Sequence, residues 1–423
     1  MQEQITRLNA PAKAERLDAL RQLSAAIKAG ILPAVPSGSD VNNHIHTTYS
    51  FSPYSPSMAI WRAYNAGLKT AGIMDHDSIS GAREFIEAAQ IMGVLSTIGI
   101  ECRVRMDGTF VADRRINNPD QTGVAYMALH GIPHQSIDEI TAFFAPFQAA
   151  RGQRNRLMID RINSIMSTHG ITLDYDTDVL SLSMSAQGGS VTERHLLYAL
   201  SLKLVGKFGK GASLLDFFRD QLHISLSEKA GEQLLDSGNP FYEYDLLGVL
   251  KSDLVERIYV NAIDECPPVA EVLALARRTG AISAYAYLGD VGQSVTGDKK
   301  TQQFEDAYLD DLCMLLHELG FNAITYMPSR NTTEQLTRLR GLCKQYDFFE
   351  ISGEDINSPR QSFICMAQRA PEFAHLYAAT MALIGHERAA TRRLNDAMFS
   401  AQSMTALPTL EARIARYADL ATV

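Results

Sequence analysis

Four short segments of this chain carry side chains suited to metal chemistry. They are His44 and His46 in NHIHTTYS, Asp75, His76 and Asp77 in MDHDS, Glu101 in GIEC, and Glu354, Asp355 and Asn357 in ISGEDINSP. Two imidazoles at alternate positions of an extended stretch point to the same side, because side chains in a strand alternate with a period of two. Imidazole and carboxylate ligands together suit Zn²⁺, Mn²⁺ or Fe²⁺, and a fold need only converge them. A His-x-His pair alone is also compatible with a half-buried strand whose histidines are hydrogen-bonded. Four such segments in this order are the stronger signal.

Each segment falls at the end of an expected strand, where barrel active sites assemble. The His-x-His strand is followed by a helix opened by Ser55-Pro56, a strand over Ala71–Met74, a helix over Ala82–Ala89 and an apolar run over Val94–Ile100. The rhythm returns with a helix at Val269–Arg278, a strand at Ala281–Tyr287, a helix at Phe304–Leu319, a strand at Phe321–Tyr326, a helix at Thr332–Tyr346 and a strand at Phe348–Ile351. Such alternation predicts a largely parallel sheet with helices outside it, closed into one barrel by the two halves. The expected organisation is a helical extension over 1–40, a first barrel part over 41–134, an inserted helical subdomain over 135–255, a second barrel part over 256–370 and a helical extension over 371–423.

The 423 residues, 46% hydrophobic and 21% charged, can bury a large core. A net charge of −9 argues against nucleic acid as a partner and leaves only a local basic pocket for phosphate. No apolar run approaches the roughly 18 to 20 residues that span a bilayer, and the N-terminus is too charged for a secretory signal. The five scattered cysteines lack metal or redox spacing and read as reduced, in a cytoplasmic protein. Oligomeric state is not legible.

The motifs resemble those of the PHP (polymerase and histidinol phosphatase) superfamily of metal-dependent phosphoesterases. HIHTTYS, MDHDSISGA and GIEC are similar to its three opening motifs, and AYMALHGI, AISAYAYLG and ISGEDINSP to its later strands. The resemblance implies an α/β fold, a distorted (β/α)7 PHP-type barrel with the inserted helical subdomain and the N- and C-terminal helical extensions. It implies a first metal position at His44, His46, Glu101 and Asp355. The second position maps to Glu101, Tyr126 and Tyr285, with His130 as another possible donor, and the third to Phe51, His76 and Asn357. Tyrosine and phenylalanine deplete both, so one divalent ion is expected to bind tightly.

Asp75 and Asp77, beside His76, can orient a ligand, act as a catalytic base, or simply cap the next helix. SVTERHLLYAL is similar to a phosphate-contacting helix start, which puts Arg194 and His195 at the substrate, and Arg330 and Arg360 follow barrel strands as further phosphate contacts. The implied function is hydrolysis of a small phosphorylated metabolite or nucleotide by a metal-activated water. The alternatives are a reduced scaffold that binds a ligand or partner without turnover, or a hydrolase of non-phosphate bonds.

Overall fold

The structure, a computed structural model, describes residues 1–291 and 303–422. Seven strands form one sheet in sequence order: β1 (Val41–Ile45), β2 (Thr70–His76), β3 (Leu95–Arg105), β4 (Val124–His130), β5 (Ile282–Ala286), β6 (Ala323–Tyr326) and β7 (Phe349–Ser352). β1 to β3 and β5 to β7 are parallel, whereas β4 is antiparallel to both its neighbours, a reversal the sequence pattern did not signal. The sheet curls until the chain after β7 meets the end of β1: the His46 N–H donates to the Ile356 carbonyl at 3.0 Å, and the Ile356 N–H to the His44 carbonyl at 3.1 Å. That closure demands a glycine at position 353, where a Cβ would stand 2.7 Å from the His44 nitrogen.

Before the barrel run α1 (Gln2–Arg7) and α2 (Lys13–Lys28), two helices rather than one, broken around Pro11. Outside the sheet lie α3 (Pro56–Asn65), capped by Ser55 with Pro56 in its first turn, and α4 (Ala82–Met92). Between β4 and β5 the chain forms α5 (Ile137–Met166), α6 (Glu193–Phe208), α7 (Ala212–Phe217), α8 (Glu228–Leu235) and α9 (Tyr242–Ile258), which pack around their own apolar cluster. Three more helices, α10 (Val269–Thr279), α11 (Leu309–Leu319) and α12 (Thr333–Tyr346), complete the outer ring. The C-terminal stretch divides into α13 (His375–Arg392), α14 (Ala401–Ala406) and α15 (Leu410–Leu420). Among the described residues no helix is long and apolar enough to cross a membrane.

Register fixes which side chains share the inner face. His76 pairs with Glu101, Glu101 with Ala128, Ala128 with Ala284, Ala284 with Ala323 and Ala323 with Phe349. Deep on that face, Ile282, Ala284, Ala323, Phe349 and Ile351 pack against Ala379, Ala382 and Leu383, so α13 plugs the barrel. Residues of opposite parity, among them Ile73, Ile100, Met127, Tyr285 and Ile324, enter the core beneath the outer helices.

Candidate metal centre

The ends of β1 and β2, the middle of β3, which runs on past Glu101 where a strand end was expected, and the turn after β7 bring His44, His46, His76, Glu101 and Asp355 to one place at the barrel mouth. Glu101 Oε2 lies 3.0 Å from His76 Nδ1, 3.8 Å from His44 Nε2 and 3.9 Å from His46 Nε2. His46 Nε2 is also 3.2 Å from Asp355 Oδ1. One ligand atom each from His44, His46 and Glu101 falls within a 4.8 Å span. The closure of β7 against β1 delivers Asp355, and the parity of β2 and β3 delivers His76 beside Glu101.

The electrostatics prepare these groups as ligands. Burial alone would push the Glu101 carboxyl up, but the charges and hydrogen bonds of His76 and His44 outweigh it and hold the group well below the usual carboxylate range. For Asp355, desolvation is likewise overcome by His46, with help from His44 and Arg194. Burial pushes the His46 imidazole down, against the pull of Asp355. Its Nε2 is buried yet makes no hydrogen bond of good geometry, even beside Asp355. A buried, inward-facing ring nitrogen between two carboxylates fits a divalent cation.

Asp75 tethers the loop that leaves the site: its oxygens accept from the Thr47 N–H at 2.6 Å, the Thr47 hydroxyl at 2.5 Å and the Ser50 hydroxyl at 2.6 Å. Ser50 Oγ in turn lies 3.2 Å from His46 Nδ1, which orients the ring. Asp77 is buried against Arg151, with Nη1 2.5 Å from Oδ2. Both oxygens of Asp75 are therefore engaged in tethering the loop, whereas Asp77 is held by its ion pair and keeps an oxygen without a hydrogen bond.

The remaining site expectations divide. Tyr126 shares the inner face, its ring 6.1 Å from that of His76, and burial pushes its phenol far up. Asn357 donates to Asp355 Oδ1 at 2.6 Å, so it orients a ligand from the neighbouring position. His130 is buried on the inner face, near enough to His44 and Glu101 to feel their charges. Tyr285 is a correction: it stands next to the inward Ala284, so it points out under α11, in the cluster with Met127 and Ile324. Phe51 turns into the insert, edge-on to His195 with ring centroids 5.0 Å apart.

On the insert, the Arg194 charge adds a small share to what holds Asp355 down. His195 Nδ1 accepts from the Thr192 N–H at 3.0 Å and closes the capping box of α6, so one ring nitrogen is already used. Arg330, after β6, donates from Nε to the Leu288 carbonyl at 3.3 Å. Arg360 is a second correction, because its fork is taken bidentately by Asp245 of α9, with both contacts at 2.7 Å.

Sequence reasoning missed a buried cluster beside the site. Arg103, two residues after Glu101 and therefore on the same face, pairs with Glu193 and Glu265. Arg154 lies 2.6 Å from Glu193, and Arg151 lies 3.2 Å from Glu265. The available signals were the period of two from Glu101 and the spacing of three between Arg151 and Arg154 on α5.

Residues 42–220 match the family model of the PHP domain. A solved structure from Bifidobacterium adolescentis, named as a metal-dependent phosphoesterase, superposes with a TM-score of 0.52 at 18% identity, covering 78% of this chain and 94% of the other. An amidohydrolase from Chromobacterium violaceum, solved with bound sulfate and no metal, gives a TM-score of 0.47 at 15% identity, covering 77% and 90%. A search of curated proteins gives no match. The match over residues 42–220 and the barrel agree with the resemblance of the motifs to the PHP superfamily.

Proposed function

We propose that the protein is a metal-dependent phosphoesterase acting on a small phosphorylated metabolite or nucleotide. The observation that carries this reading is the buried, unsatisfied Nε2 of His46 among His44, Glu101, Asp355 and His76. His44, His46, Glu101 and Asp355 would hold one divalent ion tightly, and zinc, manganese or iron suits that donor set. Such an ion supplies a water acidified towards neutrality and a positive charge for phosphate oxygens.

The chain's own residues do the rest. Asp75 and Ser50 hold the His46 ring in place, His76 holds Glu101, and Arg194 at the start of α6 offers a cation for an anionic substrate. Helices α5 to α9 shape access to the mouth. The class named for the Bifidobacterium structure enters as analogy of fold.

A second reading, a reduced scaffold that binds without turnover, is favoured by the outward Tyr285 and by Phe51, which remove ligands from the second and third positions. Metal analysis of the purified protein, combined with a phosphate-release screen over sugar phosphates and nucleotides, separates the two. Phosphate release that depends on added metal supports the first reading. Full occupancy with no turnover across the panel supports the second.

A further inference from the structure

We propose that helix α5 positions the third histidine: Arg151 and Gln148 hold Asp77, and through it His76 and Glu101, so that the insert sets the geometry of the metal centre from behind. The inference rests on the metal-dependent reading above. Asp77 follows His76 directly and has φ of 49°, in the left-handed region. An aspartate settles there only where its surroundings hold it.

Three contacts do so. The Asp77 N–H donates to the Glu101 carbonyl at 2.8 Å, tying it to the strand that carries the shared carboxylate. Its own carbonyl accepts from Gln148 Nε2 at 2.6 Å. Its buried carboxylate lies 2.5 Å from Arg151 Nη1. Gln148 and Arg151 are three apart on α5, so one face of one helix makes both holds.

Arg151 is itself fixed from the other side, with Nε 3.2 Å from Glu265 Oε1 and Nη1 donating to the Ser190 hydroxyl at 3.4 Å. The seam continues at the next residue, where the Ser78 hydroxyl donates to the Gly188 carbonyl at 2.7 Å. His76 Nδ1, one residue earlier, is the atom 3.0 Å from Glu101 Oε2. If Asp77 relaxed to an ordinary φ, it would lose the backbone bond to Glu101 and turn the His76 ring away. Arg151 and Gln148 are positioning residues, since neither is itself among the ligand groups.

The test titrates metal-free protein with Co²⁺, whose visible bands report ligand number and geometry, while circular dichroism and thermal unfolding verify the fold. Arg151→Met is expected to weaken Co²⁺ binding about tenfold and to change the bands, as loss of an outer-shell partner does. Gln148→Leu, which leaves every buried charge paired, should weaken it by about threefold, with the bands shifted in the same direction. Asp77→Gly, which adopts positive φ freely, should retain more affinity than Asp77→Ala. Unchanged affinity and bands in folded Gln148→Leu, or equal losses in the two Asp77 variants, overturn the positioning role even if Arg151→Met fails to fold. Wild-type protein that binds no Co²⁺ overturns instead the metal reading beneath it.

Discussion

Two buried ionic clusters tie helices to this barrel, and they are built differently. Under the N-terminal helices, Arg16 and Glu84 pair bidentately at 2.9 and 2.5 Å. The third Arg16 nitrogen donates to the Ala10 and Pro11 carbonyls, and Glu84 also accepts from the Ser57 N–H and hydroxyl. At the mouth, Arg103, Arg151 and Arg154 share Asp77, Glu193 and Glu265, yet Asp77 Oδ1, Glu265 Oε2 and Arg154 Nη2 are left without hydrogen bonds. Saturation at the first cluster fits a purely structural tie. Incomplete satisfaction at the second accompanies the histidines, where a network that also sets ligand geometry cannot be optimised for stability alone.

The largest expected effect belongs to the mouth. His44→Ala should abolish tight metal binding, since it removes one of the three atoms that share the 4.8 Å span. His76→Ala should weaken binding by about 10- to 100-fold without abolishing it, because His76 acts on Glu101. Equilibrium dialysis of both variants ranks them, and the reverse order would remove His44 from the ligand set.

Arg16→Met should act on stability instead. It leaves Glu84 buried and uncompensated, at a cost of about 3–5 kcal/mol, and lowers the midpoint of urea unfolding. Metal affinity of the remaining folded protein should not change. A coupled loss of affinity would dissolve the contrast between the two clusters.

Much of this was legible in the sequence, for reasons that also explain what was not. That His44 and His46 share a face follows from period-two spacing, a local property, whereas the set His44, His46, Glu101 and Asp355 came from the resemblance of the motifs to the PHP superfamily. Tyr285 was misplaced by one residue of parity: the inward positions of β5 are the alanines beside it, and a shift of one reverses the face. Arg360 was expected at phosphate because Asp245, its partner, lies 115 residues away and no local pattern links them. The plug formed by α13 has the same origin, since an apolar helix does not announce whether it packs outside a barrel or within it.

Glu305 sharpens the comparison, because it too is buried with an unsatisfied oxygen but pairs with no arginine among the described residues. Burial, opposed by the N–H groups of Leu288 and Gly289, pushes its carboxyl up to about 7. Since the folded-state value lies above the unfolded one, the native state binds more protons between roughly pH 4.5 and 7. Stability therefore falls as pH rises through that window and levels off above it. Glu305→Gln should raise the thermal midpoint at pH 8, by the equivalent of about 2–3 kcal/mol, and change it little at pH 5. An equal gain at both pH values would mean that Glu305 is not the titrating group.

The smallest effect is expected where insert and barrel meet outside the cluster. Arg360 holds Asp245 with two contacts at 2.7 Å and lies over the Phe241 ring at 5.0 Å, but it is 40% exposed. Solvent screens such a pair, and its good geometry still limits it to about 1 kcal/mol. Arg360→Ala should lower the thermal midpoint slightly and speed proteolytic cleavage within α8 and α9, the helices its loop anchors. Cobalt affinity should stay at the wild-type value, because no ligand or tether of the histidine cluster passes through Asp245. If affinity drops as far as in Arg151→Met, the whole insert interface, rather than the single seam at Asp77, carries the coupling to the metal centre.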